Sequence, residues 1–306
     1  MITIYRKTIK DKKLQEIQQV EVGSWIHVSK PTKEDLEKIA NMFSLDQEYL
    51  NDSIDQGELP RIEKENNNII IYVRVPLKKE SEANTTPITI IITPSNIITI
   101  SIQDNRVIEA LLNEDIKFYT TQKAKFLLNV FNEIVKRFGK HINAINKRVV
   151  SKRGKLKYLK NDDIVSLVET EEDLNDFVSS LAPDINIFER ILSGKYMTLF
   201  EGDEDLMEDL LIDAKQVLDL CKTNILRINN IREAYSTILS NNLNKTMKFL
   251  AAITVIFTIP TVVASIYGMN VSLPGAANPF IFAYLMGFIT IVIITVLFVF
   301  FWKRWL

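Results

Sequence analysis

The sequence predicts an α+β or α/β soluble domain, then a helical extension and a long stalk helix, then two C-terminal membrane spans. Three observations predict this. Apart from the two C-terminal apolar runs, β-branched runs of strand length fall in residues 2–102, with helix signals interspersed. From residue 121 onward the strand signals vanish and apolar residues recur at helical spacing. Two apolar runs, 249–267 and 280–302, each have the roughly 20 residues that cross a bilayer. No charge falls between Lys248 and Lys303.

Residues 2–6 and 25–28 alternate like short strands. A helix over 32–41 opens on the hydroxyl of Thr32 with acids in its first turn, and a second short helix is expected over 46–54. Pro60-Arg61-Ile62-Glu63, a turn at Asn66-Asn67-Asn68 and the run 69–75 read as a hairpin. Residues 88–92 and 96–102 continue the sheet around a Thr93-Pro94-Ser95 turn. Helical periodicity then covers 121–152 and 159–181, with a break at 151–154. The end of the first helix and the break are basic (Lys147, Arg148, Lys152, Arg153), and the second helix is acidic (Glu169, Glu171, Glu172, Asp173). An antiparallel hairpin pairs these faces in part or leaves both solvated.

Between Asp203 and Tyr267 there is no glycine, and the only proline is Pro260. A continuous helix of that length reaches on the order of 95 Å, too long for a globular domain, so it runs from the soluble domain into the membrane. Pro260 need not end it, because neighbouring helices or threonine side chains can satisfy the freed carbonyl. The expected division is 1–118 for the α/β domain and 119–202 for the helical hairpin. The stalk then covers 203–248, the first span 249–270, the external loop 271–279, the second span 280–302 and the basic tail 303–306.

Composition narrows the function classes. The 306 residues carry a net charge of −1, which gives no case for nucleic-acid binding. The start lacks an apolar stretch of signal-peptide length, so export of the N-terminal part is not expected. The single cysteine, Cys221, excludes an intramolecular disulfide framework and reads as a small packed hydrophobe. Arg227, Arg232, Lys245 and Lys248 precede the first span, Lys303 and Arg304 follow the second, and the connecting loop has no cation. By the positive-inside rule both termini are cytoplasmic, in a multi-pass protein of the cell (inner) membrane. There is no P-loop, nucleophile elbow or His/Cys cluster, so an enzyme or a nucleotide-energised pump is disfavoured and no organic cofactor is expected.

The first span is not uniformly apolar. Steps of four and three residues pick out Glu233, Thr237, Ser240, Asn244, Met247, Ala251, Thr254, Thr258, Thr261, Ser265 and Gly268. This seam is small or polar at almost every step, and its flanks are Phe, Ile, Leu and Val. Such a stripe belongs against protein or water, as a helix–helix contact or as a pore lining. Two spans per chain cannot enclose a conduit alone. A pore therefore requires several copies, one such helix from each around an axis, with the 280–302 helix outside facing lipid.

Ile266-Tyr267-Gly268-Met269-Asn270 at the end of the first span resembles the CorA family of divalent-cation transporters. So do Asn244-Lys245-Thr246-Met247-Lys248-Phe249-Leu250 at its start and the terminal Lys303-Arg304-Trp305-Leu306. The likeness is specific over roughly 200–306 and weaker at Pro60-Arg61-Ile62-Glu63. It implies an αβα cytosolic domain, a stalk helix running into the first span, and a homopentamer around a central pore. It further implies Gly268, Met269 and Asn270 as selectivity filter, Met247 and Leu250 as hydrophobic gate, Asn244 as a polar ring and Thr261 as a pore-lining position. Cytosolic Mg²⁺ bridging Asp209 to an acid of the neighbouring copy, with Glu80 as the choice, would hold the stalks closed. Glu233 would face the lower funnel. Thr258 stands where a bulky Met is common, Ser265 where Gly is common, and the outer loop lacks the acid often found after the tripeptide.

The chemistry of an asparagine ring stands on its own. Mg²⁺ dehydrates reluctantly, so amide oxygens of Asn270 would bond its water shell, and an uncharged ring binds without trapping. Asn270 read from local sequence alone also fits a helix C-cap. The expected function is thus passive, potential-driven transport of Mg²⁺, with Co²⁺ or Ni²⁺ as further cargo. The alternatives are a Zn²⁺ transporter of the same fold and a membrane-tethered oligomeric sensor or scaffold without flux. His27 and His141 lie outside the spans and Cys221 is isolated, which tilts away from Zn²⁺.

Overall fold

The computed structural model describes residues 1–77, 85–271, 273–275 and 278–303. The chain divides into two compact units, Met1–Ile231 and Arg232–Leu306.

In the first unit the strands are β1 (Ile2–Arg6), β2 (Gln15–Ile17), β3 (Trp25–Ser29), β4 (Arg61–Glu65), β5 (Asn68–Pro76), β6 (Thr85–Ile92) and β7 (Ile97–Ser101). They form one mixed sheet in the order β2-β1-β3-β7-β6-β5-β4, in which β3 and β7 are the parallel pair. Side chains alternate strictly across it. Ile69, Ile71, Val73 and Val75 of β5 face one core, while Ile70 and Tyr72 face the other. Because both faces are covered, β5, β6 and β7 read as near-continuous isoleucine runs rather than as alternating strands.

Helices α1 (Lys33–Phe43) and α2 (Gln47–Asp52) cover the Ile70 face through Leu36, Ile39 and Leu50. The Thr32 hydroxyl accepts from the Asp35 N–H at 3.2 Å and the Asp35 carboxylate accepts from the Thr32 N–H, the reciprocal cap expected of this start. The other face carries α3 (Arg106–Leu112), α4 (Lys123–Gly154), α5 (Asn161–Leu192) and the first part of α6 (Glu201–Tyr267). Phe131 stacks on Phe188 at 4.4 Å and Phe138 meets Phe177 edge-on at 5.4 Å, which zips α4 to α5.

α5 runs eleven residues beyond the periodicity expected to end at 181, straight through Pro183. Its continuation buries Ile185, Ile187, Phe188 and Ile191, and that apolar area outweighs the one hydrogen bond proline forfeits. β2 and α3 were not anticipated. β2 is three residues of an exposed, polar edge, and α3 is a seven-residue helix capped by Asn105, whose Oδ1 accepts from the Ile108 N–H at 3.0 Å.

Arg61 of the Pro60-Arg61-Ile62-Glu63 stretch has a structural role. Its guanidinium binds Asp52 at 2.6 Å, Glu63 at 2.7 Å and Glu58, and lies 4.1 Å above the Tyr72 ring. Cys221 is packed as expected, with its thiol on the Leu174 carbonyl at 3.2 Å and its pKa pushed up to about 12 by burial.

Two buried groups bracket the pH range of this unit. His27 is buried beside Thr99, whose hydroxyl lies 2.9 Å from Nδ1, and burial lowers its pKa to about 4. The folded value lies below the unfolded one of about 6.5, so stability is intact above pH ~6.5 and falls until pH ~4. Asp184 sits opposite in sign. It accepts from the Arg74 N–H at 3.2 Å, its Oδ2 has no partner among the described residues, and burial raises its pKa well above the carboxylate range. Its contribution is present at acid pH and is lost as pH rises. His27→Gln should therefore remove about 3 kcal/mol of the stability loss between pH ~6.5 and ~4, read by denaturant unfolding of the purified chain at each pH. Asp184→Asn should raise the melting temperature at neutral and alkaline pH, with the difference from the natural chain vanishing as pH falls.

Candidate functional site

In the second unit, the end of α6 and all of α7 (Ile281–Trp302) are long and apolar enough to cross a membrane. Along α6, Ala252, Ile256, Ile259, Val263 and Tyr267 are buried or half-buried. On α7 the same is true of Leu285, Ile289, Val292 and Val296. These are the matched stripes that two helices packed lengthwise leave covered.

Thr254, Thr258, Thr261 and Ser265 are exposed. At about 100° per residue they lie within roughly 60° of one another and about 170° from the centre of the covered stripe. The hydroxyl seam is therefore not the face that α6 uses within its own chain. Its threonines are satisfied locally: the hydroxyls of Thr254, Thr258 and Thr261 donate to the carbonyls of Leu250, Thr254 and Phe257 at 2.8–2.9 Å. None of these bonds goes to the Ile256 carbonyl that Pro260 frees, yet α6 continues unbroken to Tyr267. Lower on the same seam Glu233, Asn244, Met247, Leu250 and Ala251 are all exposed.

α6 stops in front of Gly268 through backbone bonds. The Gly268 N–H donates to the Ala264 carbonyl at 2.9 Å and the Met269 N–H to the Ile266 carbonyl at 3.2 Å. A Cβ at Gly268 would stand 3.2 Å from the Ala264 oxygen, so any other residue there makes the last turn give by a few tenths of an ångström. Asn270 is exposed and has a negative φ, so it does not fill the left-handed cap position. Among the described residues nothing bonds its side-chain amide. In the loop, Asn278 Oδ1 accepts from the Phe280 N–H at 2.9 Å and so sets the start of α7, a role its Asn-Pro dipeptide signals. Thr290 and Thr295 interrupt the apolar surface of α7, and each hydroxyl donates to a carbonyl one turn back, at 2.8 Å.

Of the two acids expected to hold regulatory metal, Asp209 alone is among the described residues. Asp209 is exposed on α6 beside Glu208 and Asp213, while Asp203 turns inward and is buried. Glu80 and Arg304 lie outside the described residues; Lys303 follows the last turn of α7. Among the described residues no three His, Cys, Asp or Glu side chains converge on a point.

A helix–sheet–helix domain whose last helix continues into a two-span membrane segment defines an integral membrane protein with a large soluble portion. The sequence profile of the family described as "CorA-like Mg2+ transporter protein" matches residues 21–304, and the chain belongs to that family of divalent-cation transporters. It is 25% identical over 294 residues to the cobalt/magnesium transport protein CorA of Methanocaldococcus jannaschii, covering 92% of this chain and 91% of that protein. The complete structure of the CorA magnesium transporter from that organism matches with a TM-score of 0.88 over 100% of this chain and 99% of that one, at 22% identity. The full-length CmaX protein matches with a TM-score of 0.78 over 96% and 97%, at 14% identity. The expected fold, a mixed-sheet domain with a long helix and two C-terminal spans, is the one these structures share.

The contact at Gly268 yields a test. Gly268→Ala should insert and assemble like the natural chain, yet lower cation uptake into vesicles about tenfold, the effect of roughly 1.4 kcal/mol on a barrier, because the displaced turn carries Asn270.

Proposed function

We propose that this chain forms a passive divalent-cation channel, a homo-oligomer in which each copy contributes the hydroxyl seam of α6 to a central pore. Mg²⁺ is its principal cargo and the membrane potential is its driving force. The observation that carries the reading is the exposed seam at Thr254, Thr258, Thr261 and Ser265, opposite the face packed on α7. In lipid that seam needs other copies or water against it, and a ring of copies supplies both. Five copies are what the family resemblance implies.

Asn270 forms the filter at the external mouth. Its amide is untied by hydrogen bonds among the described residues and free to bond the water shell of a cation that keeps its shell. Met247 and Leu250, large and exposed on the same seam, form the hydrophobic gate. Glu233 concentrates cations in the lower funnel. Cytosolic Mg²⁺ binds between copies at Asp209 and Glu80 and favours the closed stalks, since facing carboxylates repel when the metal leaves. Positive-inside topology places the first unit and both termini in the cytoplasm, with Lys303 and Arg304 as the cytosolic tail. An inside-negative potential of about 100 mV then contributes roughly 4.6 kcal/mol per divalent ion, at about 2.3 per charge.

The test is uptake into proteoliposomes loaded with a Mg²⁺-sensitive dye, comparing the natural chain with Asn270→Ala at matched incorporation. Uptake should follow an imposed inside-negative potential and fall at least about tenfold, or lose its ion preference, in the variant. Signals equal to those of empty vesicles in both proteins would leave the scaffold as the surviving reading. Preference for Zn²⁺ in the same preparation would replace Mg²⁺ as cargo and keep the channel.

A further inference from the structure

A dense basic stretch lies at the tip of the α4–α5 hairpin. Residues 147–160 contain seven cations and no acid, in a chain whose net charge is −1. The tip is a single 3₁₀ turn, Leu156–Tyr158, between the end of α4 and the start of α5. Lys152 is half-buried and reaches Asp163 at 3.4 Å, while Lys147, Arg148, Arg153, Lys155 and Lys160 are exposed. The partial pairing of basic and acidic faces expected of this hairpin thus shows, at the tip and among the described residues, as the Lys152–Asp163 ion pair. Tyr158 is 84% exposed at the apex and Val150 is also exposed, whereas Leu156 and Leu159 turn inward onto the core.

The tip lies at a defined end of the first unit. Lys215 of α6 pairs with Glu189 of α5 at 2.6 Å, Cys221 meets the Leu174 carbonyl, and Arg227 donates to Asn146 of α4 at 2.5 Å. Later residues of α6 therefore lie against later residues of α4 and earlier residues of α5. The hairpin tip shares an end of the unit with Ile231, the point from which the chain goes on to its first span.

We infer that this tip is a docking surface for anionic lipid headgroups of the bilayer that the same chain spans, a reading that rests on the cytoplasmic placement proposed above. Exposed lysines and arginines around a protruding tyrosine match an interface where headgroups are negative and an amphipathic ring sits at the boundary. A second copy of the chain, with its acidic α5 face, is the competing occupant. Against it stand Tyr158 and Val150, which offer an acidic face nothing. Because the spans tether the tip to the membrane, docking is intramolecular and needs little intrinsic affinity.

The experiment uses the full chain with Tyr158→Cys carrying an environment-sensitive fluorophore; the natural Cys221 is buried and does not compete for label. The protein is reconstituted into phosphatidylcholine vesicles with or without phosphatidylglycerol and with a headgroup spin-labelled lipid as quencher. Quenching should appear with the anionic lipid, fade as salt shortens the screening length, and be weak in the neutral bilayer. Arg153→Gln with Lys155→Gln should lower the ratio of docked to free tips about thirtyfold, at about 1 kcal/mol per charge. Equal quenching in both bilayers, indifferent to salt, overturns the inference without need of the variants. Shielding of the label in detergent that disappears with Glu169→Gln and Glu172→Gln assigns the tip to a second copy and overturns it too. Mg²⁺ uptake recorded on the same vesicles keeps this outcome separate from that of the channel reading.

Discussion

A polar side chain facing hydrocarbon is the constraint on which this architecture turns. The membrane segment of α6 has one apolar face covered by its own chain and an opposite face bearing Thr254, Thr258, Thr261 and Ser265. Had the two faces coincided, the hydroxyls would serve as glue between α6 and α7, and a single chain would be complete. Their opposition leaves the chain unfinished in a bilayer, because small and hydroxylated surface gains nothing from lipid and much from close packing or water. That geometry is what favours the oligomeric reading proposed above.

The same repeat recurs in both units of α6, with exposed residues 239–251 between the two covered stretches. A spacing of alternately three and four residues connects Cys221, Asn224, Ile228 and Ile231, all buried in the first unit, through half-buried Tyr235 and Ile238 to Ala252, Ile256, Ile259 and Val263 in the second. That is the 3.5-residue repeat of a left-handed bundle, and the seam from Glu233 to Gly268 keeps the same repeat on the other side. In the second unit the covered stretch thus has the polar stripe on its other side.

Much of this was legible in the sequence because the signals were long. Twenty-residue apolar runs, a 3–4 alternation over ten steps and paired isoleucine strands survive any local exception. The losses fall where a signal was short or overridden. β2 and α3 are too brief to show a period, and Pro183 is a breaker overruled by the burial of Phe188 and its neighbours. The role of Asn278 as the start of α7 and the carboxyl of Asp184 under Arg74 depend on contacts between residues far apart or on loop geometry, and no periodicity encodes them. The site residues were legible by position on a face. What the sequence could not show is that the hydroxyl face and the α7-packed face exclude each other.

That exclusion also bears on which ions the seam suits. Each threonine hydroxyl of the seam has one proton, and Thr254, Thr258 and Thr261 all donate theirs to a carbonyl of the preceding turn. With the protons turned inward, the surface left for the axis is oxygen lone pairs. Lone pairs accept hydrogen bonds from the water around a cation and offer none to an anion. In the channel reading, a seam of this kind passes a hydrated cation from one set of acceptors to the next without stripping its shell, which Mg²⁺ resists. Thr258 and Ser265, where the family more often has Met and Gly, extend that acceptor surface. Thr258 also replaces bulk that would narrow the pore, whereas Ser265 adds a little, so in that reading closure rests more heavily on Met247 and Leu250 below. In the channel reading, the substitution at 258 that makes the conduit more hospitable to water thus shifts the hydrophobic barrier toward its cytoplasmic end.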